Sequence, residues 1–482
     1  MEKLNVDLII KRSIHGVFTL ISRTFILNII SFVSFLVITS MLAASEIGIY
    51  VAVIAIQRVI SFFTDFGLGA ALIQKKEELK QEDIVTTFTV QALISFSIFI
   101  IVVVFLGKFA IFLRLNTEAQ RLLLVLVFTI FLSSFKTIPS ILLERSLKFG
   151  KLVFPQIIES LVFNGILVAL VLGGYGISSF SWAFLVSSLI GIPSYYFVSP
   201  WKIGIGINKA SLNHLKYGIQ FQAKNILGTI KDDLLTVILI RFLSFEQIGY
   251  IGFAQRLAFY AYRYVVDSVT KVTFSAYSRT QHELIFLKNA IEKSLFFVST
   301  CMFPILFGLI VVSPYLIKFY PNWHNKWEPA AFSIVFFCLN AAISSLSGIL
   351  VNVLDATGKV KVTLRLMVMW TVLIWILTPL FIHFYGYNGV SVASFLVTTT
   401  IAYTVFLVKK IVQFNFISSI IKPLTVSFLM TIAVFILSNL FAKDLLSLVF
   451  VILTGGIFYL VCLFALSGKE LKADLVRFGI KL

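Results

Sequence analysis

The chain has 482 residues, 59% of them hydrophobic and only 13% charged, with a mean hydropathy of +0.99 and a formal charge of +18. A soluble domain of this length needs far more polar surface, because burial follows surface-to-volume scaling, so the soluble classes are excluded. The positive charge never condenses into a dense basic run; it falls between apolar blocks, which argues for membrane topology and against nucleic-acid binding.

From the N-terminus, Lys11-Arg12 precede an apolar run that is too long for a signal peptide and carries no small-residue cleavage site, so a retained first span is expected. With it there are fourteen apolar blocks, at about 15–40, 47–73, 84–107, 121–141, 152–172, 177–199, 217–240, 247–270, 294–313, 329–353, 360–382, 388–408, 421–441 and 446–467. Each is near the ~20 residues that cross ~30 Å of hydrocarbon at 1.5 Å per residue. Breakers stand in the connectors, with Gly173-Gly174 after the fifth block and Pro314 and Pro321 after the ninth. With the N-terminus in the cytoplasm, the inward segments carry 26 Lys and Arg and the outward ones 7, the remaining 7 of the 40 lying inside blocks. That alternation predicts both termini inside. No outward segment is long enough for a catalytic domain.

The blocks repeat. His15-Gly16-Val17 and Tyr217-Gly218-Ile219 open the first and seventh at an offset of 202. Glu46-Ile47-Gly48 and Gln247-Ile248-Gly249 open the second and eighth at 201, and Asp65 and Asp267 lie near their far ends at 202. The expected architecture is therefore all-α and polytopic. It has an N-terminal six-helix lobe (1–200), a parallel C-terminal six-helix lobe (201–410), and two extra helices with a tail (411–482).

Charges inside spans cost at least a few kcal/mol each unless paired or hydrated. Six of the seven intramembrane cations lie in blocks one, two, seven and eight: Arg23, Arg58, Lys224, Lys231, Arg256 and Arg263. The seventh, Lys136, is expected to snorkel from block four. Arg256, Tyr260, Arg263 and Asp267 follow i, i+4, i+7, i+11, one stripe of a helix. Arg58, Ser61 and Asp65 share a face of block two, and Lys224 and Lys231 a face of block seven. Asp65, Asp232, Asp233 and Asp267 offset four of the six cations, in pairs such as Arg58 with Asp65 or Arg263 with Asp267. The surplus positive charge suits an anion held in a cavity shared by the halves, phosphate above all, which Arg grips through two oxygens. The alternative is that these are structural ion pairs.

The five histidines fall at span ends or in connectors without a second ligand at i+3 or i+4, so no metal site is expected. Cys301, Cys338 and Cys462 sit in apolar blocks as small core residues. Gly204-x-Gly206 is too short for a phosphate loop, so ATP hydrolysis is not expected. The stretch 275–293 has the spacing of an amphipathic helix at the inner surface.

The opening LISRTFILNIISFVSFLVITSMLAASEIGIYVAVIAIQRVISFFTDFGLGAALIQ, then ERSLKFGKLVFPQIIESLV at 144–162, LIRFLSFEQIGYIGFAQRLAFYAYRYVVDSVTKVTFSAYSR at 239–279, KWEPAA at 326–331 and DATGKVKV at 355–362, together resemble bacterial polysaccharide-unit flippases of the O-antigen and exopolysaccharide type. These belong to the multidrug/oligosaccharidyl-lipid/polysaccharide exporter superfamily. The resemblance implies two lobes forming a V, alternating access, and an undecaprenyl-diphosphate-linked oligosaccharide as substrate in the bacterial inner membrane. It implies no cofactor beyond an H⁺ or Na⁺ gradient, for which Asp65, Asp232, Asp233 and Asp267 are the coupling candidates. Membrane lipids, and association with a polysaccharide polymerase and glycosyltransferases, are the expected partners, and no nucleic acid is expected. A peptidoglycan-precursor flippase and a drug/cation antiporter of the same superfamily remain alternatives. A membrane glycosyltransferase or polymerase is disfavoured, since the first outward loop holds only Glu46.

Overall fold

The computed structural model describes residues 25–64, 69, 72, 73, 75, 77–208, 211 and 226–477, and no strand occurs among them. In chain order the helices are α1 (Phe25–Met41), α2 (Ala44–Thr64), α3 (Gln81–Leu113), α4 (Thr117–Arg145), α5 (Phe149–Leu172) and α6 (Ser178–Val198). Then come α7 (residues 226–239), α8 (Phe245–Thr280), α9 (Leu284–Phe319), α10 (Ala331–Ala356), α11 (Val360–Tyr385), α12 (Gly389–Thr398 continuing as Ile401–Lys409), α13 (Phe416–Phe441) and α14 (Leu445–Arg477). Among the described residues ten stretches are long and apolar enough to cross a bilayer, one of which, Val360–Lys409, runs through both α11 and α12. The protein is a polytopic helical membrane protein, as expected.

The chain divides into two compact units, Met1–Gly249 and Tyr250–Leu482. In the first, α4 packs on α2, α3 and α6, and α5 on α6. In the second, α9 packs on α10 and α13, α13 on α14, and α10 on α12. Val312 of α9, Val426, Met430 and Val434 of α13, and Leu448 and Val451 of α14 form one buried cluster, so the last two helices are seated on α9. Phe253 of α8 stacks on Trp327 at 4.1 Å and meets Trp323 edge-on at 5.0 Å. Both indoles are fully buried, which gives the KWEPAA segment a packing role in this unit.

Two local expectations fail. Pro314 lies inside α9, and the break comes after Phe319, because a span tolerates proline where neighbours or local adjustment satisfy the freed backbone group. The stretch 275–293 is no single helix: it is the end of α8, a turn at 281–283, and the start of α9. The apolar spacing there was real but belonged to two helices that meet.

The duplicated motif is duplicated in geometry. Ala43 N donates to Glu46 Oε2 (2.8 Å), and Ser244 N donates to Gln247 Oε1 (3.0 Å), so in α2 and α8 the matched Glu and Gln return to the backbone N–H three residues earlier. Glu46 Oε1 also accepts from Ile177 N at the start of α6 (2.9 Å), which places that carboxylate in a structural role. Within the first unit the matched glycines are crowded: a Cβ on Gly48 would stand 1.6 Å from Phe245 O, and one on Gly249 would stand 1.9 Å from Ala44 O. The obstacle is backbone in both cases and cannot yield. Gly48→Ala and Gly249→Ala should therefore each sharply reduce the monodisperse yield in detergent. Gly456→Ala, whose Cβ meets nothing within 4 Å, should leave it unchanged, and fluorescence-detected size exclusion reads the difference.

Candidate anion site

α2 presents Arg58, and α7 presents a wide π-helical turn, Ile230–Leu234, that carries Lys231, Asp232 and Asp233 in succession. Such turns insert one extra residue and re-aim the side chains around it. Arg58 Nη1 donates to Asp233 Oδ1 at 3.2 Å, and Lys231 Nζ stands 3.3 Å from Asp232 Oδ1. Asp233 is mostly covered, with 17% of its side chain exposed, whereas Arg58 keeps 57% exposed. A single Nη1 contact uses one of the five guanidinium donors, so the fork is only partly engaged. On α2 itself, Ser61 accepts from Gln57 Nε2 (3.1 Å) and so belongs to the helix's own network.

In the second unit the predicted stripe lies on α8. Arg256 Nε donates to the Tyr260 hydroxyl (3.1 Å) with its guanidinium 5.8 Å from that ring, an i, i+4 contact that holds the side chain along the helix. Arg263 and Asp267 are exposed, and among the described residues no ion pair joins them, so that expected pair is not formed. Arg23, Lys224 and Asp65 lie outside the described residues, and with Asp65 goes the expected Arg58–Asp65 pair. The partner found for Arg58 is Asp233, 175 residues away, which no spacing rule could have reached.

Lys136 does not snorkel. Its ammonium is bonded to Glu159 of α5, with 14% and 23% of the two side chains exposed. Glu159 is an intramembrane carboxylate outside the four acids singled out from the sequence. Its cost in a span was visible there, but the partner 23 residues earlier was not. No group of three or more His, Cys, Asp or Glu that could hold a metal ion occurs among the described residues, and the three cysteines are free. Between α2, α3 and α4 lies an apolar cavity of about 390 Å³, lined by residues such as Ile56, Ile60, Val102 and Leu123 together with Val237 of α7.

The family model described as polysaccharide biosynthesis protein matches residues 37–331, more than half of the chain. The chain belongs to that family. Within reach of it, the chain is 23% identical over 344 residues to the lipopolysaccharide biosynthesis protein WzxC of Escherichia coli (strain K12), covering 68% of this chain and 66% of that one. It is 24% identical over 312 residues to the succinoglycan biosynthesis transport protein ExoT of Rhizobium meliloti (strain 1021), covering 62% and 60%. The matches thus span about two thirds or less of these two relatives. In fold, this family member is similar to the lipid II flippase MurJ in an inward closed conformation (TM-score 0.75, 18% identity, 94% of this chain and 99% of that one). It is also similar to an inward-facing multidrug resistance transporter of the MATE family (TM-score 0.63, 12% identity, 80% and 95%).

Proposed function

We propose that this protein is a flippase, not an enzyme. It carries undecaprenyl-diphosphate-linked oligosaccharide repeat units from the cytoplasmic to the external leaflet by alternating access, for surface polysaccharide assembly. The observation that carries the reading is a pair of arginines that keep exposure, Arg58 on the candidate span α2 and Arg263 on α8, in a chain of the polysaccharide biosynthesis family. An arginine inside a span is costly unless it is paired or faces a water-filled cavity, and an accessible one in such a cavity is open to an anionic cargo. A diphosphate offers paired oxygens to each guanidinium fork. The fold likeness to a lipid II flippase supports a lipid-linked cargo and keeps a peptidoglycan precursor as the second reading. The excess of Lys and Arg in alternate loops supports both termini in the cytoplasm. Coupling to H⁺ or Na⁺ would fall to Asp65, Asp232, Asp233 or Asp267, and association with the polymerase and glycosyltransferases belongs to the same proposal.

The test is deletion of the gene in its own organism. Lipid-linked repeat units should accumulate on the cytoplasmic face, shielded in intact spheroplasts from an added sugar-oxidising reagent, and the plasmid-borne gene should restore both accessibility and surface polymer. Unchanged polymer with loss of wall precursor transport would favour the second reading. No change in either lipid pool would overturn both.

A further inference from the structure

The connector after α6 is fastened to α3. Residues 201–208 have no regular secondary structure and lie against the first turns of that helix. Gly206 N donates to Thr89 Oγ1 (3.1 Å) and Asn208 N to Thr86 Oγ1 (3.0 Å), while Asn208 Nδ2 donates to Glu82 Oε2 (2.5 Å). At the near end the Trp201 ring lies 5.2 Å from Phe88 and 6.4 Å from Tyr196. Gly204 suits this close approach, because a Cβ there would stand 3.0 Å from Val85 Cγ2, tighter than ordinary contact. The glycines that fail as a phosphate loop are thus explained as contact points.

A second set of bonds holds the far end. Ser211 Oγ donates to Asp83 Oδ1 (2.8 Å), and the same buried carboxylate accepts from Lys75 Nζ (2.8 Å) and Lys80 N (3.0 Å). Lys75 and Asp83 keep only 8% and 7% of their side chains exposed. Arg145 closes the loop before α3 by donating to Leu72 O (2.6 Å) and Glu77 O (2.5 Å). A segment without regular secondary structure has no helix or ladder partners for its amides, so one that swings free must leave them to water. Here the N–H groups two residues apart are met by threonine hydroxyls of α3.

We infer that the connector Trp201–Asn208 is a fixed strap of the first unit that stays docked on α3 throughout the working cycle. Asp83 is the residue that locks its far end.

The test uses the full chain with Cys301, Cys338 and Cys462 replaced by alanine, carrying Thr86→Cys and Asn208→Cys. Oxidation should join the pair in most molecules, and surface polymer in the deletion strain should stay within about twofold of the reduced control. Loss of polymer on oxidation with recovery on reduction would overturn the inference, as would failure of the pair to cross-link in folded protein. A second measurement is independent of what is transported. Hydrogen exchange of the unmodified chain in nanodiscs should show the 205–208 amides at least about tenfold slower than a free peptide of that sequence, and Thr86→Val with Thr89→Val should erase most of that protection. Exchange at the free-peptide rate in the parent would also overturn it.

Discussion

Arg58→Ala and Arg256→Ala are each expected to cut surface-polymer output by about ten- to a hundredfold while the protein still reaches the membrane. A charge-assisted hydrogen bond is worth about 1.5–3 kcal/mol and each 1.4 kcal/mol is a factor of ten, so one lost guanidinium contact to a diphosphate gives that range. Arg58 also has a partner to leave behind. Its removal strands Asp233, 17% exposed on the π turn, and that repels an incoming anion further. The pairing distinguishes transport from mere structure. If Arg58 serves only to neutralise Asp233, then Arg58→Ala combined with Asp233→Ala should restore polymer, because neither charge is left uncompensated. If Arg58 grips the substrate, the double variant stays inactive. Arg58→Lys should be intermediate, since it keeps the charge but loses the fork that matches two phosphate oxygens. Parent-level output from all of these variants, measured beside membrane abundance, would sink the anion site.

The fold was legible in the sequence to the extent that a single helix carries the information. Hydropathy marked the spans because a bilayer demands length and apolarity of each one alone. The i, i+4, i+7, i+11 stripe placed Arg256 and Tyr260 within reach because they share α8, and the structure joins them. The Glu46 and Gln247 repeat was read as a string match, and its cause is a cap that is local to each helix. What stayed hidden depended on which helices are neighbours. Helical spacing offers Arg58 an acid on its own helix, Asp65, and the acid it meets is on α7. Lys136 was given a solvent-reaching role because a long lysine near a helix end ordinarily has one. The strap on α3 was equally invisible, since nothing in WKIGIGIN names the threonines that receive its amides.

Lys136 and Glu159 supply the other large effect. They sit well inside α4 and α5, with little exposure on either side chain, and the helices leave room for them at Gly191 of α6. A Cβ on Gly191 would stand 2.2 Å from Glu159 Oε1, so the glycine is there for the carboxylate. Removing one partner of such a pair leaves a lone charge in a low-dielectric interior and costs about 3–5 kcal/mol, whereas replacing both by apolar groups of similar size is often neutral. Lys136→Met and Glu159→Leu are therefore each expected to lower the thermal midpoint in detergent substantially, and the double variant to recover most of the loss. Gly191→Ala should mimic the single variants by displacing the carboxylate from its ammonium. The recovered double variant then separates stability from work. Should it fold and still export polymer, the pair is a means of packing three spans around two charges. Should it fold and fail, a charge in this part of the first unit takes part in transport. A double variant as unstable as the singles would mean that the contact acts through its shape rather than its charge.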